Sequence, residues 1–219
     1  MDKKGQFKIS SRSTVNRLRE RGSYDKKIIY NIIDTAYYCH VCFVNNDQPF
    51  IIPTIHARID DEIILHGAIA SRLLKHVQSG KDVCIAITHI DGLVLARSVF
   101  HHSMNYRSVV LFGKGKLIKD ASQKIKAAKA ITDHIMPGRW NDTRHPNQKE
   151  LDSTSFVSVK IEDASAKIRT GPPIDEEEDY LLPVWAGEVP ILQVKKQPIP
   201  DIKLGGNIDI PDYLRKLAD

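Results

Sequence analysis

The feature that most constrains this chain is its series of short apolar segments, which turn residues separate from one another. Asn45, Asp60 and Asp91 each begin a polar turn of the kind that joins two strands in a hairpin. Gly113 and Gly115 interrupt the longest segment, which indicates a bulge or a barrel corner. Many short strands with few helices predict a β-barrel or sandwich, and a closed barrel leaves no exposed strand edge. Strands are predicted at residues 37–44, 50–59, 62–68, 82–89, 93–100, 106–119, 156–161 and 166–169.

Cap residues and helical periodicity predict a smaller number of helices, so we expect a mainly β fold with flanking helices. Ser23, Ser71 and Asp120 each precede an apolar stripe at helical spacing and are expected to be N-caps. Gly22 and Pro137 are expected to stop helices. The helices are predicted at residues 10–21, 25–35, 71–80, 121–135 and 210–219.

The length of 219 residues fits one domain with arms. We divide the chain into a basic arm at residues 1–22, a barrel domain at 23–170 and a proline-rich arm at 171–219. The second arm carries too many apolar residues to extend into solvent, so we expect it to pack on the barrel or on a partner subunit.

The net charge of +5 comes entirely from the N-terminal arm, where residues 1–21 contain seven basic and two acidic side chains. Such an arm contacts nucleic acid or is simply solvated, and because no nucleic-acid motif accompanies it, we expect no nucleic-acid partner. No apolar run approaches the roughly 20 residues that span a bilayer, and no signal-peptide core follows the N-terminus. These observations predict a cytoplasmic protein without a membrane partner.

Two histidine and cysteine patterns raise the question of metal or redox chemistry. Cys39 and Cys42 have C-x-x-C spacing but lie in a predicted strand, whereas a redox motif of this type lies at a helix N-terminus. Buried strand cysteines are therefore the preferred interpretation. His101 and His102 are adjacent, but no third ligand has suitable spacing, so we predict no metal site.

The segment EIILHGAIASRLLK, residues 62–75, is the strongest candidate binding site. It predicts a buried strand, a turn of small residues and a helix that begins at Ser71. The first N–H groups of such a helix and the guanidinium of Arg72 would converge on an anion, most simply a phosphate. The alternative is an ordinary helix cap beside a solvated charge.

Several motifs in this order resemble the flavin-binding split-barrel superfamily related to pyridoxamine 5′-phosphate oxidase, and more narrowly its branch with the nitroimidazole-resistance proteins. The resemblance runs from about residue 12 to residue 190. Its motifs are HVCF (40–43), QPFIIPT (48–54), HGAIASRLLK (66–75), SVFHHSMNYRSVVLFG (98–113), PGRW (137–140), ASAKIRTGPP (164–173) and LPVWAG (182–187).

The resemblance implies a six-stranded split barrel that forms a homodimer, with FMN bound in two clefts between the subunits. It places the flavin phosphate at Ser71 and Arg72, assisted by Lys75. It places the flavin ring and the ribityl chain beside Ile52, Pro53, Thr54, His66, Gly67, Ala68, Asn105 and Ser108. Trp185 would cover the ring from the partner subunit or, alternatively, anchor the C-terminal arm.

Two departures from the vitamin-forming oxidases argue against pyridoxamine phosphate as the substrate. Leu73 occupies a position where those enzymes carry a second basic residue, and the C-terminal Arg-x-His signature is missing. We therefore expect an FMN-dependent oxidoreductase whose small-molecule substrate and catalytic residues are unknown. The alternatives are a flavin- or haem-binding carrier, sensor or detoxification protein without turnover, and an interaction protein that uses its two arms.

Overall fold

The chain is organised around one curled antiparallel sheet. The computed structural model describes residues 5–206 and 208–215. The strand order is β3-β2-β6-β7-β8-β5-β4, with β1 paired to β8 and β9 paired to β6. The strands are β1 (Gly22–Ser23), β2 (Tyr38–Asn45), β3 (Gln48–Ile55), β4 (Ala57–Ile59), β5 (Glu62–Ala68), β6 (Asp82–Leu95), β7 (Ser103–Leu117), β8 (Thr154–Arg169) and β9 (Gly187–Pro190).

The sheet curls until β3 comes within 8 Å of β5, measured between Cα atoms, and this seam confirms the predicted split β-barrel. None of the helices in the described part of the chain is long and apolar enough to cross a membrane. The α-helices are α1 (Lys26–Thr35), α2 (Arg72–Gln78), α3 (Ala121–Ile135), α4 (Arg139–Asp142), α5 (Gln148–Ser153) and α6 (Asp212–Arg215).

Helices α1 and α2 close opposite ends of the barrel. Helix α1 lies at the end where His89 of β6 pairs with Arg107 of β7, and its Ile32 carbonyl is 3.0 Å from Nε2 of His89. In α2 the side chain of Val77 lies over Gly115 near the other end of β7, where an added Cβ would come within 2.2 Å of Val77 Cγ1. Both helices therefore contribute their apolar faces to the same core as the strands.

Helix α3 forms a second layer outside the barrel. Its Ala127 and Ile131 pack with Ile64 of β5 and Phe156 of β8 in a smaller apolar cluster. Asp120 caps α3 as predicted, since its carboxylate accepts a hydrogen bond from the Gln123 N–H at 2.9 Å. Strand β5 consequently has two buried faces, which explains its continuous apolar sequence.

The helix predicted at residues 10–21 is wrong. Only Arg19–Arg21 forms a 3-10 turn, and Leu18 before it has a left-handed backbone with φ of 54°. The Arg12 guanidinium lies 2.6 Å from Asp163, and it also bonds to two further carboxylates on the barrel rim, which raises its pKa. These long-range ion pairs hold the segment along the barrel instead of in a helix.

The predicted cap of α1 is also wrong. Asp25 caps this helix by accepting hydrogen bonds from the backbone N–H groups of Lys27 and Ile28. Ser23 instead belongs to β1 and pairs with Ala166 of β8. The predicted terminal helix is confirmed at α6, Asp212–Arg215, and the predicted residues 216–219 lie outside the described part of the chain.

The hairpin predicted at Asp91 and Gly92 is wrong as well, because β6 passes through both residues with a shift in register. Gly92 leaves room for β9, where an added Cβ would lie 3.0 Å from the Val189 carbonyl oxygen. The Asp91 carboxylate accepts two hydrogen bonds from Arg107 on β7, at 2.8 and 2.9 Å. Pairing on both edges therefore keeps the strand continuous and turns the Asp-Gly pair into a bulge.

Two other strand boundaries differ from the prediction. The segment predicted at residues 50–59 divides into β3 and β4 at His56, and the two strands predicted after residue 155 are one strand, β8. The bulge expected near Gly113 is confirmed by a register shift after Phe112. A Cβ at Gly113 would lie 1.9 Å from the carbonyl oxygen of Lys160, so only glycine fits.

The burial of His56, where β3 and β4 separate, predicts that the stability of the fold depends on pH. His56 is fully buried beside His134, with ring centroids 4.8 Å apart, and burial lowers its pKa from 6.5 to about 4. Between pH 6.5 and about pH 4, His56 is therefore protonated in the unfolded chain but neutral in the folded chain. We expect the free energy of unfolding to fall by up to about 3 kcal/mol as the pH drops from 6.5 toward 4.

This expectation is measured by urea unfolding at several pH values from 7 to 4. The His56→Gln variant removes the titrating group, so its stability should change less over the same range. Parallel pH curves for the two proteins would contradict the assignment.

Candidate functional site

A cationic cleft lies where α2 begins. Ser71 is the N-cap, with its hydroxyl accepting a bond from the Leu74 N–H at 3.4 Å. Because Leu73, Leu74 and Val77 are buried in the barrel, the opposite face of the helix is exposed to solvent. A cleft of about 330 Å³ lies beside this face. Its lining residues are Asn45, Ala70, Arg72, Lys75, His76, Ser79 and Lys81.

Three basic residues and no acidic residue line this cleft. Arg72, Lys75 and Lys81 form no ion pair or side-chain hydrogen bond within residues 5–206 and 208–215. Their donors are therefore available to a ligand, and a guanidinium beside two ammonium groups suits an anion such as a phosphate.

Arg72 is held in place by an aromatic ring of β3. Its guanidinium carbon lies 4.1 Å from the centroid of Phe50, which is a cation–π distance. Phe50 in turn stacks on Phe43 of β2 at 5.4 Å. This contact fixes the guanidinium next to β3 while its N–H groups remain uncommitted, so α2 and β3 form one side of the same surface.

Strand β3 continues the same surface. It pairs only with β2 within the described chain, so its other backbone edge faces the seam of the barrel. Ile52 points toward the core, Pro53 is exposed opposite His40, and Thr54 is half-buried. An edge strand with unpaired backbone groups and a proline can present hydrogen-bonding atoms to a flat ligand.

The end of β5 brings its three predicted residues next to α2. A Cβ at Gly67 would lie 3.2 Å from Leu74 Cδ1, so this glycine also permits α2 to pack closely. Ala68 is exposed, and its carbonyl accepts the Ser71 N–H at 2.9 Å.

His66 lies on the outer face of β5, with its ring 6.0 Å from that of Phe156. Its Nδ1 is buried and has no hydrogen-bond partner in the described chain, and burial lowers the pKa of this imidazole. The ring is therefore held neutral with one unsatisfied nitrogen.

The structure does not bring the remaining predicted residues to this cleft. Ser108 lies on the outer face of β7 and donates to the carbonyl of Lys167 at 3.1 Å. Asn105 faces the opposite side, where it is buried between Arg169 and Glu188 and bonds to both. Trp185 is 67% exposed in the C-terminal segment. Within one chain, these three side chains remain apart from Arg72.

Sequence reasoning missed Asn45 and Lys81 of the cleft, along with its lining residues Ala70, His76 and Ser79. It also missed Phe50, which contacts Arg72. The only sequence feature that pointed to Phe50, which positions Arg72, was its place in an apolar run. Lys81 returns to the cleft because Gly80, with φ of 75°, ends α2 and reverses the chain. Asn45 lies at the end of β2, where it was assigned only to a turn. The glycine after the helix was the one available signal for Lys81.

Comparisons with known proteins identify the family of the chain. The family model described as pyridoxamine 5′-phosphate oxidase matches residues 25–168. The flavocytochrome Anf3 from Azotobacter vinelandii is 36% identical, with a TM-score of 0.89 over 95% of this chain and 97% of that one. An FAD and haem binding protein from Mycobacterium smegmatis is 30% identical, with a TM-score of 0.86 over 90% of this chain and 97% of that one.

A more distant structure shares the fold. A candidate 5-nitroimidazole antibiotic resistance protein from Bacteroides thetaiotaomicron is 22% identical, with a TM-score of 0.57 over 67% of this chain and 86% of that one. No curated protein matches the chain. The family model covers the barrel, both end-closing helices and the cleft, and the two flavin- or haem-binding relatives match nearly the whole length. This chain belongs to the pyridoxamine 5′-phosphate oxidase family.

Proposed function

We propose that this protein binds a flavin with its phosphate in the cleft of Arg72, Lys75 and Lys81 and acts as a flavin-dependent oxidoreductase. The observation that carries the proposal is the Arg72 guanidinium, stacked 4.1 Å from Phe50 with its N–H donors uncommitted. The cleft has no carboxylate that would compete for these donors. A bound flavin would supply hydride or electron transfer, while the protein holds and orients it.

We choose between FMN and FAD from the descriptions of the relatives, because the cleft recognises only the phosphate. The family resemblance predicts FMN, whereas the M. smegmatis relative is described as binding FAD, and this relative matches 90% of the chain. Both flavins carry a phosphate on the ribityl chain, and Arg72, Lys75 and Lys81 would recognise that shared group. We propose FAD as the physiological flavin and FMN as its competitor.

The second wall of the flavin site would come from a homodimer. The outer face of β2 and β3 is apolar and exposed, including Tyr38 at 52%, Ile51 at 64% and Val44 at 55%. A contiguous apolar face of this kind marks a surface that a partner covers. Association through this face would bring a second chain to the open edge of β3 and to Arg72.

Haem binding is a second candidate function. It is favoured by the two relatives of high coverage, one described as a flavocytochrome and the other as binding FAD and haem. His66 fits a haem-binding role best, because its ring is half-buried beside Phe156 and its Nδ1 has no partner in the described residues. The imidazole is neutral, as an iron ligand requires.

The first prediction concerns the phosphate contact. Replacing Arg72 with alanine removes a charge-assisted hydrogen bond, so flavin affinity should fall by about 1.5–3 kcal/mol, or roughly 10- to 150-fold. Titration of the flavin-free protein with FMN and with FAD, followed by fluorescence, measures this change. Arg17→Ala removes an equally exposed arginine and should leave both affinities unchanged. Equal flavin affinities for the wild type and Arg72→Ala would refute the proposal that this cleft binds the flavin phosphate.

The second prediction concerns cofactor content and turnover. Protein purified from cells should carry a flavin that mass spectrometry identifies, and haem should appear as a Soret band and a pyridine haemochrome. We expect His66→Ala to lose haem while retaining flavin. Anaerobic reduction by NADH or NADPH followed by added acceptors separates an oxidoreductase from a carrier. A colourless protein that binds neither cofactor would contradict both proposals.

The third prediction concerns the dimer. Ile51→Asp places a charge at the centre of the apolar face, so light scattering coupled to size-exclusion chromatography should show a monomer. The same substitution at Val194, which is 70% exposed in the C-terminal segment, serves as the control and should remain dimeric. A monomeric wild-type protein would remove the proposed second wall.

A further inference from the structure

A second cleft lies on the outside of the barrel, between the first turns of α3 and the outer face of β5, β7 and β8. Its volume is about 660 Å³, and it shares no lining residue with the Arg72 cleft. Its apolar surface can accept the hydrocarbon part of a ligand. That surface is formed by Ile59, Ile64, Leu117, Ile118 and Ala127.

A buried hydroxyl in this cleft has no partner. Ser158 lies on β8 between Ile64 of β5 and Lys116 of β7, and it is only 1% exposed. Its Oγ forms no hydrogen bond to any part of the chain that the structure describes. Buried hydroxyl groups are normally satisfied, because leaving one without a partner costs stability. The lone Ser158 hydroxyl therefore indicates a ligand that bonds to it.

Three lysines line the same cleft without ion pairs in the described residues. Lys160 follows Ser158 by two positions on β8, so both side chains lie on the outer face. Lys126 comes from α3, and Lys119 precedes the cap of that helix. The three side chains are exposed and line the cleft from the strand side and from the helix side.

Two of the four carboxylates of the cleft are paired with lysines. Asp61 lies 2.8 Å from the Lys26 amine, and Glu62 lies 2.8 Å from the Lys116 amine. Asp60 and Asp120, which caps α3, have no ion pair within the described residues. Three unpaired lysines therefore face two unpaired carboxylates, which leaves one excess positive charge for an anion. The complete set of lining carboxylates is Asp60, Asp61, Glu62 and Asp120.

We propose that this outer cleft binds a small carboxylate with an apolar body, of the class of medium-chain fatty acids. The carboxylate accepts hydrogen bonds from the Ser158 hydroxyl and from the ammonium groups of Lys126 and Lys160. The hydrocarbon part covers Ile59 and Ile64. The proposal goes beyond flavin binding, since it uses a different set of residues on a different face of the barrel.

Calorimetric titration of the whole protein with three probes tests this site. Octanoate should bind, whereas octylammonium, with the opposite charge, and inorganic phosphate, without the apolar body, should bind at least about fivefold more weakly. The double variant Lys126→Gln/Lys160→Gln should weaken octanoate binding by about fivefold to tenfold. Lys149→Gln, an exposed lysine of α5 outside the cleft, should have no effect.

Ser158→Ala gives an independent measurement. It removes the unsatisfied hydroxyl, so the ligand-free protein should keep its melting temperature while octanoate affinity falls by about threefold to tenfold. Equal binding of octanoate and octylammonium would refute the site, and so would unchanged octanoate affinity in the double lysine variant or in Ser158→Ala. Loss of flavin binding in Arg72→Ala with octanoate binding intact would show that the two sites are separate.

Discussion

The burial of one face of α2 in the end of the barrel determines the direction of everything that the helix exposes. Leu73, Leu74 and Val77 fill the barrel end, and Gly67 and Gly115 allow the helix to approach the strands closely. The burial of three aliphatic side chains is worth several kcal/mol, far more than any exposed ion pair. Arg72 and Lys75 must therefore point outward, whereas His76 is buried against Phe43.

The seam has its own physical requirement. Among the residues that the structure describes, strand β3 pairs on one edge only, and its outer face is apolar, so both polar backbone groups and hydrophobic surface are left uncovered. The stacking of Arg72 on Phe50 joins the helix to this strand and aligns a positive charge with the open edge. A cofactor with a phosphate tail and a flat ring, together with a second chain, satisfies these requirements at once.

Local sequence signals predicted the elements whose stabilisation is local. Strand β5 was predicted with its observed bounds, and Ser71 and Asp120 cap helices as expected. The predictions failed where distant groups decide the backbone. Arg12 binds the carboxylate of Asp82, which is 70 positions away in the chain, instead of joining a helix. Asp91 and Gly92 resemble a hairpin turn, but pairing of β6 with β7 and β9 keeps the strand continuous.

The sequence by itself determined the class of fold and the residue where α2 begins, and it is the basis for proposing Ser71, Arg72 and Lys75 as an anion site. These features depend on apolar periodicity and on caps, which act over a few residues. Only the tertiary structure decided that Phe50 positions Arg72, that Lys81 joins the same cleft, and that Asn105 lies between Arg169 and Glu188, away from the cleft. The reason is that strand pairing and barrel closure bring together residues far apart in the chain, and no local pattern encodes those distances.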